Sequence, residues 1–222
     1  MSQRLDPDVA RAIEAFAAGD PVLVHDFEDR EGEVDLVYPA ADVDPAAVAR
    51  LRNDAGGLVC VALAADVSDG LELPFLSEAV DHPASGGPVA YDDRSSFSLS
   101  VNHHDTYTGV TDQDRSLTIT RLAEAAAAAR AGEYGVSDFA GEFRAPGHVH
   151  LLRAAGSLAE RKGHTELAIA LAAAADREPA AVVCEMLDDT TGRALPVEAA
   201  REYARRHDLV FVEGSAIVEA LG

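Results

Sequence analysis

The sequence has a single lysine, Lys162, no tryptophan and only two cysteines among its 222 residues. Its 18 basic side chains are therefore almost all arginines, and they are outnumbered by 39 acidic ones, which leaves a net charge of −21. Such a charge argues against general binding to nucleic acid or to anionic membranes, because both need a basic surface. It is typical of proteins that stay hydrated in concentrated salt, so we expect a salt-adapted source.

Long apolar runs are also scarce. The longest, "LAIALAAAA" at 167–175, is too short to cross a bilayer. The amino-terminal "MSQRLDPDVARAIEAF" has no apolar signal core and reads as an amphipathic helix, so we expect a cytoplasmic protein. Cys60 and Cys184 each lie in an apolar, strand-like run, where reduced core thiols are expected rather than a disulfide.

Periodicity and turn residues predict alternating strands and helices. We expect helices over 7–18, from Pro45, from about Thr111 with Asp114 in a capping-box-like position, and over 157–163, 164–176, 196–208 and 215–222. Strands are expected over 21–27, 33–39, 57–64, 95–102, 180–187 and 209–214, with a long excursion over 65–95. The Pro-Gly pair in "FRAPGHVHLLRAAG" predicts a break and then a short strand or loop. The pattern favours one layered α/β domain, residues 1–222, with a mixed sheet.

The most acidic short stretch is "DREGEVD", Asp29 to Asp35. If Glu31, Glu33 and Asp35 enter the second strand, their spacing of two places all three carboxylates on one face. Aligned carboxylates repel unless a cation lies among them or one keeps its proton. The alternative is a solvated acidic hairpin tip.

A second candidate site is "RKGHTE", Arg161 to Glu166, at the start of the strongest predicted helix. Free helix N–H groups, two cationic side chains and the Thr165 hydroxyl suit a phosphate. The helix dipole also favours a neutral His164, and neutral imidazole can bind metal. The alternative is an ordinary helix cap with a surface histidine.

Two further features leave structural alternatives open. His148 and His150 would share a strand face, as a metal-binding pair or as ordinary surface or core residues. Glu185 lies inside the apolar "AAVVCEML", where a carboxylate must be paired or must face a cleft suited to acid–base work. From the residues alone, the chain reads as a metal- and phosphate-using enzyme of small anionic substrates.

Taken together, the stretches resemble the 3,4-dihydroxy-2-butanone 4-phosphate synthase family of riboflavin biosynthesis. The resemblance is carried by "DREGEVDLVYPA", "GGLVCVAL", "TGVTDQDRSLTI", "APGHVHLLRA", "RKGHTELAIAL" and "AAVVCEMLDDTTG". It implies a three-layer fold, α/β of the α+β type, with one mixed twisted sheet flanked by helices. It also implies a Mg²⁺-dependent lyase, with Mn²⁺ as the alternative metal, that converts ribulose 5-phosphate to the four-carbon ketone phosphate and formate. The expected assembly is a homodimer with active sites at the interface.

By position, the resemblance assigns the site residues. Glu31 and His164 would bind the metal, and His148, Glu185 and Glu33 would be catalytic. The substrate would be bound by Arg30, Glu31, Asp35, Arg161, Lys162, Gly163, His164 and Thr165. Thr108 and Arg115 fall in a motif that would reach the neighbouring subunit's site.

Two features of the chain depart from the family pattern, and two other functions are alternatives to this interpretation. Val34 stands where many relatives have glycine. We also expect no fusion to a GTP cyclohydrolase II half, which is common among relatives. A rival enzyme is another metal-dependent pentose-phosphate isomerase or aldolase, which would release no formate. A rival of another class is a nucleotide- or RNA-binding module on the related fold of the YrdC family, which the net charge disfavours.

Overall fold

A computed structural model describes residues 5–27, 30–85, 92 and 94–222. Within these ranges the chain forms seven strands, which are β1 (Val22–His25), β2 (Val34–Pro39), β3 (Cys60–Leu63), β4 (Phe97–His103), β5 (Phe143–Arg153), β6 (Ala180–Glu185) and β7 (Val210–Glu213). The same ranges contain nine α-helices, which are α1 (Pro7–Ala17), α2 (Pro45–Asp54), α3 (Ala65–Gly70), α4 (Leu76–Ala79), α5 (Asp112–Arg130), α6 (Val136–Glu142), α7 (His164–Ala174), α8 (Val197–Arg206) and α9 (Gly214–Leu221).

The strands form one mixed sheet in the order β4-β5-β3-β6-β2-β1-β7. β1 and β2 pair as the predicted antiparallel hairpin, and β1 also pairs with β7 in parallel. β6 lies between β2 and β3 and is antiparallel to both. The mixed sheet expected from the sequence is therefore confirmed.

Helices cover both faces of the sheet and give three layers. One core cluster includes Val34, Leu36 and Tyr38 of β2 and lies against α2, α5 and α8. The other includes Val37 of β2 and lies against α1, α7 and α9. The alternation along β2 sorts its side chains between the two cores, as the period of two predicts. Both cysteines are free and buried, Cys184 in the first core and Cys60 in the second.

Side-chain caps define several helix starts. Asp6, Asp44 and Thr111 each accept a hydrogen bond from a backbone N–H in the first turn of α1, α2 and α5. Asp114 was predicted to complete a capping box with Thr111. Its carboxylate instead accepts hydrogen bonds from the backbone N–H groups of Tyr107, Thr108 and Gly109, so it orders the loop before α5.

Three other local predictions need correction. Residues 157–163 form a turn rather than a helix, and α6 was not predicted. β5 runs unbroken through Pro146 and Gly147, where a break was expected. In the excursion over 65–95 the structure places α3 and α4, while residues 86–91 and 93 lie outside the described part of the chain. No helix within the described ranges is long and apolar enough to cross a membrane.

Candidate active site

The acidic stretch forms the connection between β1 and β2. Glu31 and Glu33 precede β2, which begins at Val34, so the predicted row of three carboxylates along the strand is wrong. Asp29 lies outside the described residues. Asp26, directly after β1, accepts a hydrogen bond from the backbone N–H of Gly32 at 2.8 Å. Its own N–H donates to the carbonyl of Glu33 at 3.2 Å. These two bonds fold the turn so that Glu31 points back over the end of the sheet.

His164, the first residue of α7, lies where Glu31 points. Its Nδ1 is 3.4 Å from Oε2 of Glu31 and 4.0 Å from Oδ2 of Asp26. Its Nε2 is 3.6 Å from Oδ1 of Asp35 on β2. The imidazole is buried, and so are the carboxylates of Asp26 and Asp35. Three carboxylates thus surround one buried imidazole.

This environment determines the protonation of His164. Burial alone would lower its pKa, but Asp35, the hydrogen bond with Glu31, and Asp26 together raise the pKa to about 10. The carboxylates around the ring thus oppose the bias toward a neutral His164 that the helix dipole gives. Glu31 shifts in the opposite sense: burial would raise its pKa, yet His164, Arg161 and Arg30 hold the pKa below its ordinary value.

The donor set fits a divalent cation. One oxygen each from Asp26 and Glu31 and one ring nitrogen of His164 lie within 4.8 Å of one another. Among the described residues, Oδ2 of Asp26, Oδ1 of Asp35 and Nε2 of His164 are buried without a hydrogen-bond partner. Buried charge of one sign needs compensation, which the protonated His164 supplies here. Carboxylate oxygen with imidazole nitrogen is a ligand set for hard or borderline divalent metals.

A cavity beside this cluster collects most of the expected residues. It is lined by Glu31, Asp35, Arg161, His164, Thr165 and Glu185, together with Cys60 of β3 and apolar residues of β4, β5 and β6. Glu185 ends β6 and pairs across the sheet with Asp35. Burial raises the pKa of Glu185, and it raises that of Asp35 well above its ordinary value. Of the two alternatives that the sequence left open for Glu185, its position at the end of β6 and beside the cavity agrees with the second, a carboxylate that faces a cleft.

Two arginines lie at the edge of the cavity. Nη2 of Arg30 and Nε of Arg161 both donate to Oδ2 of Asp92, at 3.1 and 2.6 Å. Nη1 of Arg161 also donates to Oε2 of Glu166 at 2.7 Å. A Cβ at Gly163 would lie 2.7 Å from Nη1 of Arg161 and 3.2 Å from Nη2 of Arg30. Glycine at this position therefore lets two guanidinium groups approach the amino terminus of α7.

Three more of the expected site residues, Thr165, Lys162 and Glu33, differ from one another in burial. Thr165 is buried in the first turn of α7 and lines the cavity. Lys162 is exposed, and its Nζ lies 5.9 Å from the ring centre of Phe27. Glu33 is partly buried before β2, where burial and the neighbouring Glu185 and Glu31 raise its pKa.

His148 lies apart from this cavity. It is exposed on β5, where the side chain of Asn102 bonds both its backbone N–H, at 2.8 Å, and its Nδ1. His150 shares that sheet face and packs edge-on against Phe97, with ring centres 5.8 Å apart. The geometry of one chain does not bring His148 and Glu185 together.

The other motif residues lie toward the opposite face. Thr108 is exposed in the loop before α5, and its hydroxyl donates to Asp114. Arg115 pairs with Asp112 on α5, the helix that covers the first core. Their predicted reach into a neighbouring subunit's site stays a prediction.

The sequence assigned no role to three acidic residues of the site, although one of them, Glu166, lies in the "RKGHTE" stretch that it singled out. Asp26 follows a buried strand, a position that points to the sheet end. Glu166 lies three residues after the helix cap Gly163, which is the capping-box spacing. It is buried and accepts hydrogen bonds from the N–H groups of Gly163 and Ala155 as well as from Arg161. Asp92 carried no signal, because its contacts are far away in the chain.

The sequence model of the 3,4-dihydroxy-2-butanone 4-phosphate synthase family matches residues 10–220. Proteins of that name from Archaeoglobus fulgidus and Methanosarcina mazei are 47% and 48% identical to the chain. Each alignment covers 96% of this chain, and 93% and 90% of the respective relative.

Solved structures agree with the sequence matches. The crystal structure of 3,4-dihydroxy-2-butanone 4-phosphate synthase of Candida albicans superposes with a TM-score of 0.79 at 28% identity, over 99% of this chain and all of that one. A second synthase structure, in complex with two magnesium ions, gives a TM-score of 0.75 at 30% identity over 94% of each chain.

Proposed function

Because the chain belongs to the 3,4-dihydroxy-2-butanone 4-phosphate synthase family, lyases of riboflavin biosynthesis, we propose that it converts D-ribulose 5-phosphate to 3,4-dihydroxy-2-butanone 4-phosphate and formate with Mg²⁺. The observation that carries this proposal is the Asp26–Glu31–His164 cluster, in which Asp26 and His164 are buried, beside the guanidinium groups of Arg30 and Arg161. One end suits a cation and the other an anion, as a phosphorylated sugar requires.

Glu31 and His164 would hold the metal, with Asp26 close enough to both to contribute a third oxygen. A bound divalent cation would polarise substrate oxygens next to the carbon that loses a proton. Mn²⁺ would suit the same ligands. The magnesium complex of a related synthase supports Mg²⁺ as the metal for this chain.

The chain's own residues would fix both ends of the substrate. Arg161 and Arg30, with the first N–H groups of α7 and the Thr165 hydroxyl, would bind the phosphate through charge-assisted hydrogen bonds. Lys162 is near enough in the chain to add positive charge at the entrance. Asp35 and Glu33 would accept hydrogen bonds from sugar hydroxyls, which fixes the carbon chain relative to Glu185.

Proton transfer would fall to Glu185, Glu33 and His148. Burial raises the pKa of Glu185, which moves this carboxyl toward the range where it both takes and returns a proton near neutral pH. The pKa of Glu33 is raised as well. His148 lies outside the cavity of its own chain, so it would reach a reacting atom only in the site of a neighbouring subunit, with its ring held by Asn102. A homodimer, in which Thr108 and Arg115 of one chain approach the other chain's site, belongs to the same proposal.

The test is the fate of one carbon. Ribulose 5-phosphate labelled with carbon-13 at C4 should give labelled formate and an unlabelled four-carbon phosphate, and only when Mg²⁺ is present. NMR spectroscopy of the reaction mixture follows both products. Label kept in a five-carbon sugar phosphate would instead identify an isomerase or aldolase, and formate carrying C1 would exclude the proposed rearrangement.

A further inference from the structure

One carboxylate oxygen joins the two arginines of the site. Oδ2 of Asp92 accepts from Nη2 of Arg30 at 3.1 Å and from Nε of Arg161 at 2.6 Å. The three side chains are only 16–17% exposed. Two guanidinium groups thus converge on a single anionic oxygen beside the amino terminus of α7. A phosphoryl oxygen would make the same contacts.

We propose that Asp92 is an intramolecular competitor for the anion subsite, so that its carboxylate and the substrate's phosphoryl group occupy the Arg30–Arg161 pair in exchange. The inference rests on the proposed function, because it takes this pair as the phosphate subsite. It assigns Asp92 a role in specificity rather than in the chemical step.

The two acidic partners of Arg161 differ in a way that supports this division. The carboxylate of Glu166 is 2% exposed and also binds the backbone N–H groups of Gly163 and Ala155. It stays in place and holds Arg161 toward the site. Asp92 contributes one oxygen to the arginines from the more exposed side, 16% accessible. Because it is the more exposed of the two carboxylates, Asp92 is the partner that an incoming anion reaches.

Exchange would select for the charge of the ligand. A phosphoryl dianion presents three oxygens and more charge than a carboxylate, so it can displace Asp92. A neutral sugar or a monoanion gains too little from the arginines to do so. The competition also lowers the apparent affinity for every anion, in proportion to the fraction of molecules in which the arginines are free.

Isothermal calorimetry of the full-length chain, titrated with inorganic phosphate in chloride-free buffer, tests whether phosphate and the Asp92 carboxylate exchange at the arginines. Asp92→Asn should bind phosphate about tenfold more tightly than wild type, the gain expected if Asp92 occupies the arginines about 90% of the time. Asp92→Ala should behave alike. Glu160→Gln is the matched control: it removes the same charge next to Arg161, but from a carboxylate that binds the Gly156 N–H.

The outcomes separate this inference from the proposed function. Unchanged or weaker phosphate binding in both Asp92 variants would overturn the exchange, and so would an equal gain in Glu160→Gln, which would reduce the effect to general charge. Arg161→Gln should lose phosphate affinity. If it binds phosphate as wild type does, the anion subsite lies elsewhere and the role of Asp92 falls with it. The proposed reaction is tested separately, by whether the wild-type protein releases labelled formate from the labelled substrate.

Discussion

At the residue scale, the site is organised around His164, a buried imidazole among carboxylates that come from three places in the chain. Asp26 ends β1, Glu31 lies in the turn, and Asp35 lies on β2. Each carboxylate loses solvation by burial, and the protonated ring compensates for that loss. A metal ion would take over this compensation, because it brings more charge to the same oxygens.

Replacement of Glu31 by glutamine should remove most of the metal affinity while the protein stays folded. The exchange is close to isosteric but takes away the anionic ligand. Loss of an outer-shell partner of a metal ligand alone costs about 10–100-fold in affinity, so we expect a loss of about 100-fold or more. Calorimetric Mg²⁺ or Mn²⁺ titration measures the affinity, and circular dichroism measures the fold.

Glu185→Gln is the control within the same cavity. Glu185 lies outside the Asp26–Glu31–His164 cluster, so its variant should bind metal as wild type does and lose turnover. Wild-type metal affinity in Glu31→Gln, or equal metal loss in both variants, would contradict the ligand assignment.

Metal binding should release a proton near neutral pH. In the metal-free chain the pKa of His164 is raised to about 10, so the ring is protonated below that pH. Since the metal needs the neutral ring, proton and metal compete, and apparent metal affinity should rise by about tenfold per pH unit as pH increases toward 10. Calorimetry in buffers of different ionisation enthalpy counts the protons released. Heats that do not depend on the buffer would show that His164 is already neutral.

At the scale of elements, the amino terminus of α7 brings the two halves of the site together. His164 and Thr165 occupy its first turn, and Glu166 closes the cap by accepting from the Gly163 N–H at 3.1 Å. The same carboxylate holds Arg161. A cation ligand and an anion ligand are therefore separated by only three positions, and the helix end fixes their relative orientation.

Gly163→Ala should weaken substrate binding without unfolding the protein. The backbone at Gly163, with φ of −78° and ψ of 170°, suits alanine. The new Cβ would displace the guanidinium of Arg161, which it would approach to 2.7 Å. We expect KM to rise by about tenfold, because small misplacements of binding groups have large effects. Steady-state kinetics and thermal melting measure the two effects.

Gly141→Ala on α6 provides the comparison, since a Cβ there meets nothing within 4 Å. It should leave KM unchanged. An unchanged KM in Gly163→Ala as well would mean that Arg161 does not contact the substrate.

The elements with strong local signals were predictable, and those decided by distant contacts were not. Three helices expected from the sequence begin at side-chain caps in the structure, Asp6, Asp44 and Thr111. The Pro-Gly pair of β5 misled because Gly147 marks a close approach rather than a strand end. A Cβ there would lie 1.9 Å from the backbone of Val101 on β4, where the pairing of the two strands shifts register. Glycine within a strand often has this role.

The site was predictable to a similar extent. The resemblance named Glu31, His164, Arg161 and Glu185 as site residues, and the fold brings these four to one cavity, while their roles stay predictions. The contact of Asp92 with Arg161 spans 69 positions in the chain, so no periodic pattern could reveal it. The protonation of His164 depends on the sum of three buried carboxylates, which appears only once the sheet is assembled.

At the scale of the whole molecule, acidic side chains greatly outnumber basic ones. The arginines are extensively paired: Arg52 with Asp112, Arg130 with Asp66, and Arg177 with Asp42. These ion pairs join side chains of different elements. With 39 acidic residues against 18 basic ones, most carboxylates still have no cation to balance them. Their mutual repulsion opposes folding, because the compact chain brings like charges closer together.

Salt should therefore stabilise the fold by screening. The net charge of −21 repels itself over a Debye length of roughly 30 Å at 0.01 M salt, which falls to about 3 Å at 1 M. We expect the melting temperature to rise steeply with potassium chloride at low concentration and then to level off once the Debye length is shorter than the spacing between surface charges. A neutral solute at matched osmolality separates screening from solute exclusion and should give no such curve. A melting temperature that stays flat between dilute buffer and molar potassium chloride would mean that the ion pairs already offset the repulsion.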